Sequence, residues 1–197
     1  MLFDFNKNIT LENDRIILRP LIAEDWKLLL PIAIADKTLL LYSPSQIHNE
    51  AFLKEYIATA LAAKSDKLRF AFLLFDKQKN KYAGCTSFGN ISNKNLRIEI
   101  GWTWIGKQFQ GTGLNRACKF LLLSYAFETL EFERVELKTD ARNQQSRRAI
   151  EKIGGQFEGT LRSHTLMSDD YRRDTVYYGL LKSEWQSIKK EYFADVL

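Results

Sequence analysis

The sequence predicts an α/β protein: one mixed, mostly antiparallel sheet of about seven strands, with helices on both faces. Three observations lead there. A strand-like alternation from Ile98 to Ile105 crosses a glycine-containing loop, Gly106 to Gly113, and enters a helical pattern from Leu114. The next strand-like segment, Arg134 to Asp140, follows that helix, and strand, helix, strand in sequence requires a parallel pair with a right-handed crossover. The remaining strand-like segments are separated by short polar turns such as Asp76-Lys77-Gln78-Lys79-Asn80-Lys81, which favours antiparallel neighbours.

Taken in order, Arg15 to Leu21 is short and β-branched, and Pro20 puts it near a strand end or edge. Ala23-Glu24-Asp25 supplies acid at the start of a helix through Trp26, Leu29, Leu30 and Ile34, which Pro31 should kink or interrupt. Tyr42-Ser43-Pro44-Ser45 is a loop by composition. From about Asn49, Phe52, Leu53, Tyr56, Ile57, Ala60 and Leu61 recur at helical steps. Leu68 to Phe75 reads as a buried strand, and Tyr82 to Ile91 as its hairpin partner. The helix after the glycine loop, to about Leu130, is apolar on most faces and should be buried against the sheet. Asn143-Gln144-Gln145-Ser146 opens a short helix that stops at Gly154-Gly155. Phe157 to Met167 and Thr175 to Leu181 are the last two strands, joined by the polar turn 168–173. Ser183-Glu184-Trp185-Gln186 has capping-box form and should start a C-terminal helix. With no repeat, low-complexity tract or linker, residues 1–197 read as a single domain.

Composition narrows the function. The length suits one well-cored domain. Lys and Arg exceed Asp and Glu by 29 − 24 = +5, a mild basic bias that fits solubility or a phosphate-bearing ligand. No dense Lys/Arg run is present, so no direct nucleic-acid partner is expected. Cys85 and Cys118 stand in no CxxC or Cys/His spacing, so neither a disulfide framework nor a metal site is expected, and a reducing cytoplasm fits best. The segment Met1 to Lys7 does not read as a signal peptide, and no apolar run approaches the roughly 20 residues of a membrane span, so no membrane partner is expected.

A strand feeding a glycine loop at a helix start leaves backbone N–H groups free to hold an anion. Gly106 and Gly111 have Walker A spacing, but Thr112-Gly113 follow where a lysine is required. A dinucleotide fingerprint needs a third glycine three residues after the second, where Arg116 stands. The remaining pattern is Gln110-Gly111-Thr112-Gly113-Leu114-Asn115.

This pattern resembles the coenzyme A loop of the GNAT superfamily of acyl-CoA-dependent N-acyltransferases. Its neighbours also resemble that family: Ile98-Glu99-Ile100-Gly101-Trp102 its fourth strand, and Ala141 to Ser146 with Lys152-Ile153-Gly154-Gly155 its Asn-x-x-Ser helix and closing glycines. Arg15, Leu18, Arg19 and Pro20, with the strand Asp174 to Tyr178, fit the branch that resembles ribosomal-protein N-terminal acetyltransferases. The resemblance spans roughly residues 14 to 190. It implies a parallel pair splayed at the cofactor site, acetyl-CoA as co-substrate, no metal, and direct transfer of acetyl to a primary amine, a protein N-terminus or a small molecule. The alternatives are an acyl-CoA-binding regulatory module without efficient catalysis and, from a different class, a nucleotide-binding protein. Either a monomer or a homodimer is compatible.

Residue roles follow from the resemblance. Trp104, Ile105, Gln110, Gly111, Thr112, Gly113, Leu114, Asn115, Arg116, Asn143 and Ser146 would meet the cofactor, with Lys107 and Arg147 as further sources of charge. Glu99 is the candidate general base, or else a strand carboxylate paired with Arg97 or a neighbouring strand. Strand alternation puts Ile98, Ile100 and Trp102 on one face and Glu99 with Thr103 on the other, where the acceptor would enter. Tyr42, His164, Asp170 and Tyr171 are candidates for the acceptor mouth. Two positions depart from the pattern. Asn115 stands where the motif has Gly or Ala, and Ile150 where many members carry a tyrosine that protonates the leaving thiolate. Ser146 is the hydroxyl left for that step.

Overall fold

The computed structural model describes residues 2–194; Met1 and residues 195–197, the ends of the expected domain span, lie outside the described residues. The alternating segments pair into one sheet. Its strands are β1 (Leu11–Glu12), β2 (Ile16–Pro20), β3 (Arg69–Asp76), β4 (Lys81–Ser92), β5 (Arg97–Ile105), β6 (Arg134–Asp140), β7 (Gln156–Leu166) and β8 (Arg172–Leu181). The order across the sheet is β1-β2-β3-β4-β5-β6-β8-β7, so the eighth strand beyond the expected seven is the two-residue β1 at the edge. Every neighbouring pair is antiparallel except β5 and β6, which run parallel as the crossover demands.

Five helices cover the sheet: α1 (Trp26–Ala35), α2 (Glu50–Ser65), α3 (Leu114–Ser124), α4 (Gln144–Glu151) and α5 (Trp185–Tyr192). None is long and apolar enough to cross a membrane among the described residues. The α1 helix runs through Pro31 without the expected interruption. Asn49 caps α2 by accepting from the Phe52 N–H at 2.8 Å. The C-terminal start differs from expectation: Glu184 reaches back to the Leu181 N–H at 3.1 Å, a 3-10 turn spans Lys182–Glu184, and α5 begins at Trp185 without a Ser183 cap.

The sheet's alternation sorts its side chains into two cores. On one face Phe70, Phe72, Phe88, Ile98, Ile100, Val135, Leu137 and Val176 meet Leu114, Ala117 and Leu122 of α3, Ile150 of α4 and Trp185 of α5. On the other face Leu73, Cys85 and Trp104 meet Leu29, Leu53, Tyr56 and Ile57 of α1 and α2. An isolated helix as short as α3 is marginal in water. Its buried leucines, at about 1.5–3 kcal/mol each, are what fix it, and the loop it begins with, to the sheet. The α1–α2 layer packs on β3, β4 and the far end of β5.

Candidate acyl-transfer site

The parallel ladder is short. β5 and β6 pair through Arg97↔Arg134, Ile98↔Val135 and Glu99↔Glu136, and then pairing stops although β5 continues to Ile105 and β6 to Asp140. The two strands therefore splay. One end of the opening is walled by the glycine loop and α3, the other by the start of α4.

Within the loop, Gly111 and Gly113 take φ of +72° and +82°, a region that costs residues with a Cβ, and nothing lies within 4 Å of where a Cβ would sit. The loop is thus an open cradle. The Ala117 N–H bonds Gly113 O at 3.0 Å, and the N–H groups at the start of α3 have no helical carbonyl of their own. Gln110 spans the opening: its Nε2 donates to Ile105 O at 2.9 Å, and its Oε1 accepts from Gln145 Nε2 at 3.0 Å. Thr112 Oγ1 donates to Phe109 O at 2.7 Å and accepts from Arg15 at 3.3 Å, while Lys79 donates to Gln108 O at 2.5 Å. Arg15 also pairs with buried Asp76. Of these two outer braces, Arg15 is marked in the sequence only by the branch resemblance and Lys79 only as part of a polar turn.

The other expected cofactor residues divide by what they can offer. Trp104 and Leu114 have buried side chains, so only their backbone faces the opening. Ile105 offers a carbonyl already held by Gln110. Asn115 Oδ1 is buried with no hydrogen-bond partner, an acceptor waiting for a donor. Arg116 lies on the first turn of α3. Asn143 caps α4 by accepting from the Ser146 N–H at 3.0 Å, and both residues are half-buried. Arg147 is drawn away to Tyr178 Oη at 3.1 Å, and Lys107 is exposed. Ile150 is buried in the α3–α5 core. A diphosphate needs converging N–H donors at a helix start, and an extended arm needs a gap between strands. The residues present fit coenzyme A on both counts.

On the opposite side of the splay, Glu99 is 3% exposed. Its Oε2 accepts from Asn90 Nδ2 at 2.6 Å and pairs with Lys138 Nζ at 2.9 Å. Arg97 instead pairs with Glu136 at 3.2 Å. A Cβ on Gly101 would stand 2.8 Å from Glu99 Oε1, so only glycine lets the carboxylate lie along the strand there. A cavity of 430 Å³ opens beside it, lined by Asn90, Arg97, Glu99, Glu136, Lys138 and Tyr177. A larger hollow of 720 Å³ is lined only by residues 160–164 of β7; with one strand for its wall, it has no groups to converge on a substrate.

One face assignment is overturned. Simple alternation puts Trp102 with Ile98 and Ile100, and Thr103 with Glu99. In the structure Ser87 pairs with Gly101 and Cys85 with Trp104, so Thr86 opposes both Trp102 and Thr103 in a β-bulge, with Trp102 at φ +50°. The extra residue reverses the alternation. Trp102 packs on the Arg69 guanidinium at 4.9 Å, and Arg69 also bonds Ser87 and Tyr56. Thr103 turns to α3, where it bonds Thr86 at 2.8 Å and Lys119 at 2.7 Å. Lys119 is buried, and desolvation pushes its pKa down to about 8. Burial raises both thiols, Cys118 to about 11, which suits core residues and not nucleophiles.

Three segments distant in sequence form the mouth. Arg142 pairs with buried Asp140 at 2.8 Å and stacks on Tyr171 at 3.7 Å, with Tyr42 at 5.7 Å. Burial works against the Asp140 charge, but the hydrogen bonds from Arg142 outweigh it and hold the carboxyl below its ordinary range. Arg173 donates from Nη1 to Tyr42 O at 3.0 Å and from Nε to Thr175 Oγ1 at 3.1 Å, and His164 Nδ1 meets the same hydroxyl at 3.1 Å. Tyr42, His164 and Tyr171 thus join one cluster. Asp170 does not; it occupies the hairpin turn at φ +61°, where its N–H bonds Met167 O. Lys138, Asn90, Arg142 and Arg173 were not singled out from sequence. Strand alternation with Glu99 and Asp140 is the signal that could have marked them.

Comparison with known proteins agrees with this geometry. Residues 15–156 match the family model described as acetyltransferase (GNAT) domain. A Bacillus subtilis (strain 168) protein named "Putative ribosomal N-acetyltransferase YdaF" is 40% identical over 119 residues, covering 60% of this chain and 62% of that protein. The match thus spans under two thirds of that relative's length. A GCN5-related N-acetyltransferase from Brucella melitensis superposes with a TM-score of 0.89 at 26% identity, over 97% of this chain and 86% of that one. The ribosomal-protein-S5-alanine acetyltransferase from Vibrio fischeri shares the fold, with a TM-score of 0.70 at 17% identity over 90% of this chain and 99% of that one.

Proposed function

The chain belongs to the GNAT acetyltransferase family, and from that premise we propose that it transfers acetyl from acetyl-CoA to a primary amine by direct attack in a ternary complex. The observation that carries this reading is the splay itself, with the open cradle of 111–113 on one side and buried Glu99 on the other. Bound acetyl-CoA would supply the activated acetyl group. The glycine loop and the first turn of α3 hold its diphosphate through backbone N–H groups, with Asn115, Asn143 and Ser146 along the arm. Lys138 and Asn90 both hold Glu99 Oε2, so Oε1 is the oxygen that takes the proton of the entering ammonium, directly or through water. With Ile150 apolar, Ser146 Oγ is the proton donor at hand for the thiolate. Tyr42, Tyr171 and His164 frame the acceptor entrance. The name of the Bacillus subtilis relative, a ribosomal N-acetyltransferase, favours a ribosomal acceptor, for which the amine we propose is a protein N-terminus, and a small amine is its competitor. We read the protein as a single-domain cytoplasmic enzyme, monomeric or homodimeric.

Calorimetric titration with acetyl-CoA tests the cofactor, and absence of binding at millimolar concentration would sink the proposal. A second reading, an acyl-CoA-binding regulatory module, draws on the buried Ile150 and the Lys138 ion pair that restrains Glu99. Thiol release over a panel of amines and peptides separates the two, because binding without turnover is what a module would give.

A further inference from the structure

The face of the sheet that carries Glu99 continues as a polar floor across β6 and β8. Strand alternation puts Arg134, Glu136, Lys138 and Asp140 of β6 there, with Arg173, Thr175 and Tyr177 of β8, because Val135, Leu137, Val176 and Tyr178 take the core side. The charges on this floor are matched almost completely. Arg97 pairs with Glu136, Arg134 with Glu158, Lys138 with Glu99 and Arg142 with Asp140.

Arg173 is the exception. It is 8% exposed, and its hydrogen bonds run to neutral oxygens, Thr175 Oγ1 and Tyr42 O; no carboxylate among the described residues lies within ion-pair distance. Those bonds use Nε and Nη1, which leaves the N–H groups of Nη2 for another partner. A buried guanidinium without a counter-ion is costly, and desolvation accordingly lowers its pKa. Asp140, Tyr177 and Glu99 favour its charge and Arg142 opposes it, and the register of β8 on β6, Asp140 with Thr175 and Lys138 with Tyr177, sets Arg173 on the face that carries Lys138 and Glu99. Two other buried cations lack a carboxylate, but they are accounted for. Arg69 shares the sheet face of Glu99 but is stacked between Tyr56 and Trp102 and bonded to Ser87 and Tyr56, and Lys119 of α3 lies on the opposite face.

We infer that Arg173 receives a carboxylate carried by the acceptor, so that the substrate is a primary amine with an acidic group a few bonds from its nitrogen. The inference rests on the acetyl-transfer reading above. Glu99 takes the cationic end of such a molecule and Arg173 the anionic end, and the two charges of the protein bracket two opposite charges of the substrate. A peptide with an acidic residue at its first or second position has this chemistry, and so does a free amino acid. Planar, bidentate recognition of a carboxylate is what a guanidinium does better than an ammonium.

The test uses the full chain with acetyl-CoA and thiol release as readout. Matched acceptors differ only in charge: peptides with Asp or Asn at position one or two, and glycine against glycinamide. The acidic member of at least one pair should be favoured tenfold or more in kcat/KM, and the arm in which this happens tells peptide from amino acid. Arg173→Met should bring the ratio to within about twofold of unity, and Arg173→Lys should recover part of it. Equal rates for every wild-type pair overturn the inference without any variant. So does a preference that survives in a folded Arg173→Met protein. Turnover without carboxylate preference removes the role of Arg173 alone, whereas no acetyl-CoA binding and no turnover with any amine removes acetyl transfer as well.

Discussion

The two sides of the splay are built from different materials. The anion cradle on one side is mainly backbone drawn from one short stretch, 105–115: two left-handed glycines, a helix start, and Gln110 bonded to Ile105 O. The acceptor side is side chains drawn from positions as distant as Tyr42, Asn90, Glu99, Lys138, Arg142, Tyr171 and Arg173. On the proposed reading, a backbone cradle serves what every acyl-CoA shares, and a side-chain floor what one acceptor has. The difference separates binding from chemistry, and each half can be tested without the other.

The largest expected effect falls on the side-chain half. Glu99→Gln keeps the shape of the residue but removes the proton acceptor, and loss of a general base costs about 10²–10⁴-fold in turnover. Turnover should fall on that scale with acetyl-CoA affinity unchanged by calorimetry. An unchanged rate would take Glu99 out of the mechanism and leave the acceptor side without a base.

Next is the residue that ties the halves together. Buried Lys119 of α3 reaches the Thr103 hydroxyl of β5, just past the bulge, and makes no ion pair among the described residues. Its folded pKa of about 8 lies below the ordinary 10.5, so between those values the folded state binds fewer protons than the unfolded one. Wild-type stability therefore rises as pH increases from 8 to 10.5, and below pH 8 the burial penalty is fully present. A shift of this size corresponds to about 3 kcal/mol. Lys119→Met removes the titration, so its stability advantage over wild type in urea melts should be greatest near pH 7 and shrink by about that amount at pH 11. Parallel pH profiles for the two proteins would mean that Lys119 keeps its ordinary pKa in the folded protein.

Legibility in the sequence followed the same division. The glycine loop could be read because its constraints are local: φ above zero at Gly111 and Gly113, and a helix beginning at Leu114. The parallel pair followed from connection lengths, which sequence also shows, but the placement of β8 between β6 and β7 did not. The bulge at Trp102 could not be read, because a single inserted residue leaves the pattern of Ile98 to Ile105 looking regular while it turns Thr103 toward α3. Lys138 and Arg173 were illegible for a different reason. Lys138 reads as an ordinary polar position in an alternating strand and Arg173 as part of the polar turn 168–173, whereas β8 begins at Arg172 and the sheet order β5-β6-β8 sets both on the face of Glu99.

On the backbone half, Gly113→Ala is a clean probe, since nothing lies within 4 Å of the added Cβ and the cost is conformational alone. Holding a residue with a Cβ at φ +82° costs about 1–2 kcal/mol. Relief of that strain opens the cradle, so acetyl-CoA should bind about tenfold more weakly, in line with about 1.4 kcal/mol. The chemical step, measured at saturating cofactor, should change far less. A variant that binds acetyl-CoA normally but turns over slowly would break the division between the halves.

The smallest effect probes the span across the opening. Gln145 is exposed and donates to Gln110 Oε1 at 3.0 Å, while Gln110 holds Ile105 O at 2.9 Å. This two-step bridge joins the start of α4 to the end of β5 where the ladder no longer does. A solvent-exposed neutral hydrogen bond contributes about 0.5–1 kcal/mol, so Gln145→Ala should barely move the melting temperature. Its consequence should appear instead in the width of the splay, as a rise in KM for acetyl-CoA of up to about fivefold at unchanged kcat. Gln110→Ala removes both bonds and should exceed it. If both variants keep the wild-type KM, the opening is held by the two cores alone, by Leu114 and Trp104 on its β5 side and Ile150 on its α4 side, and Gln110 is a lining residue with no part in setting the gap.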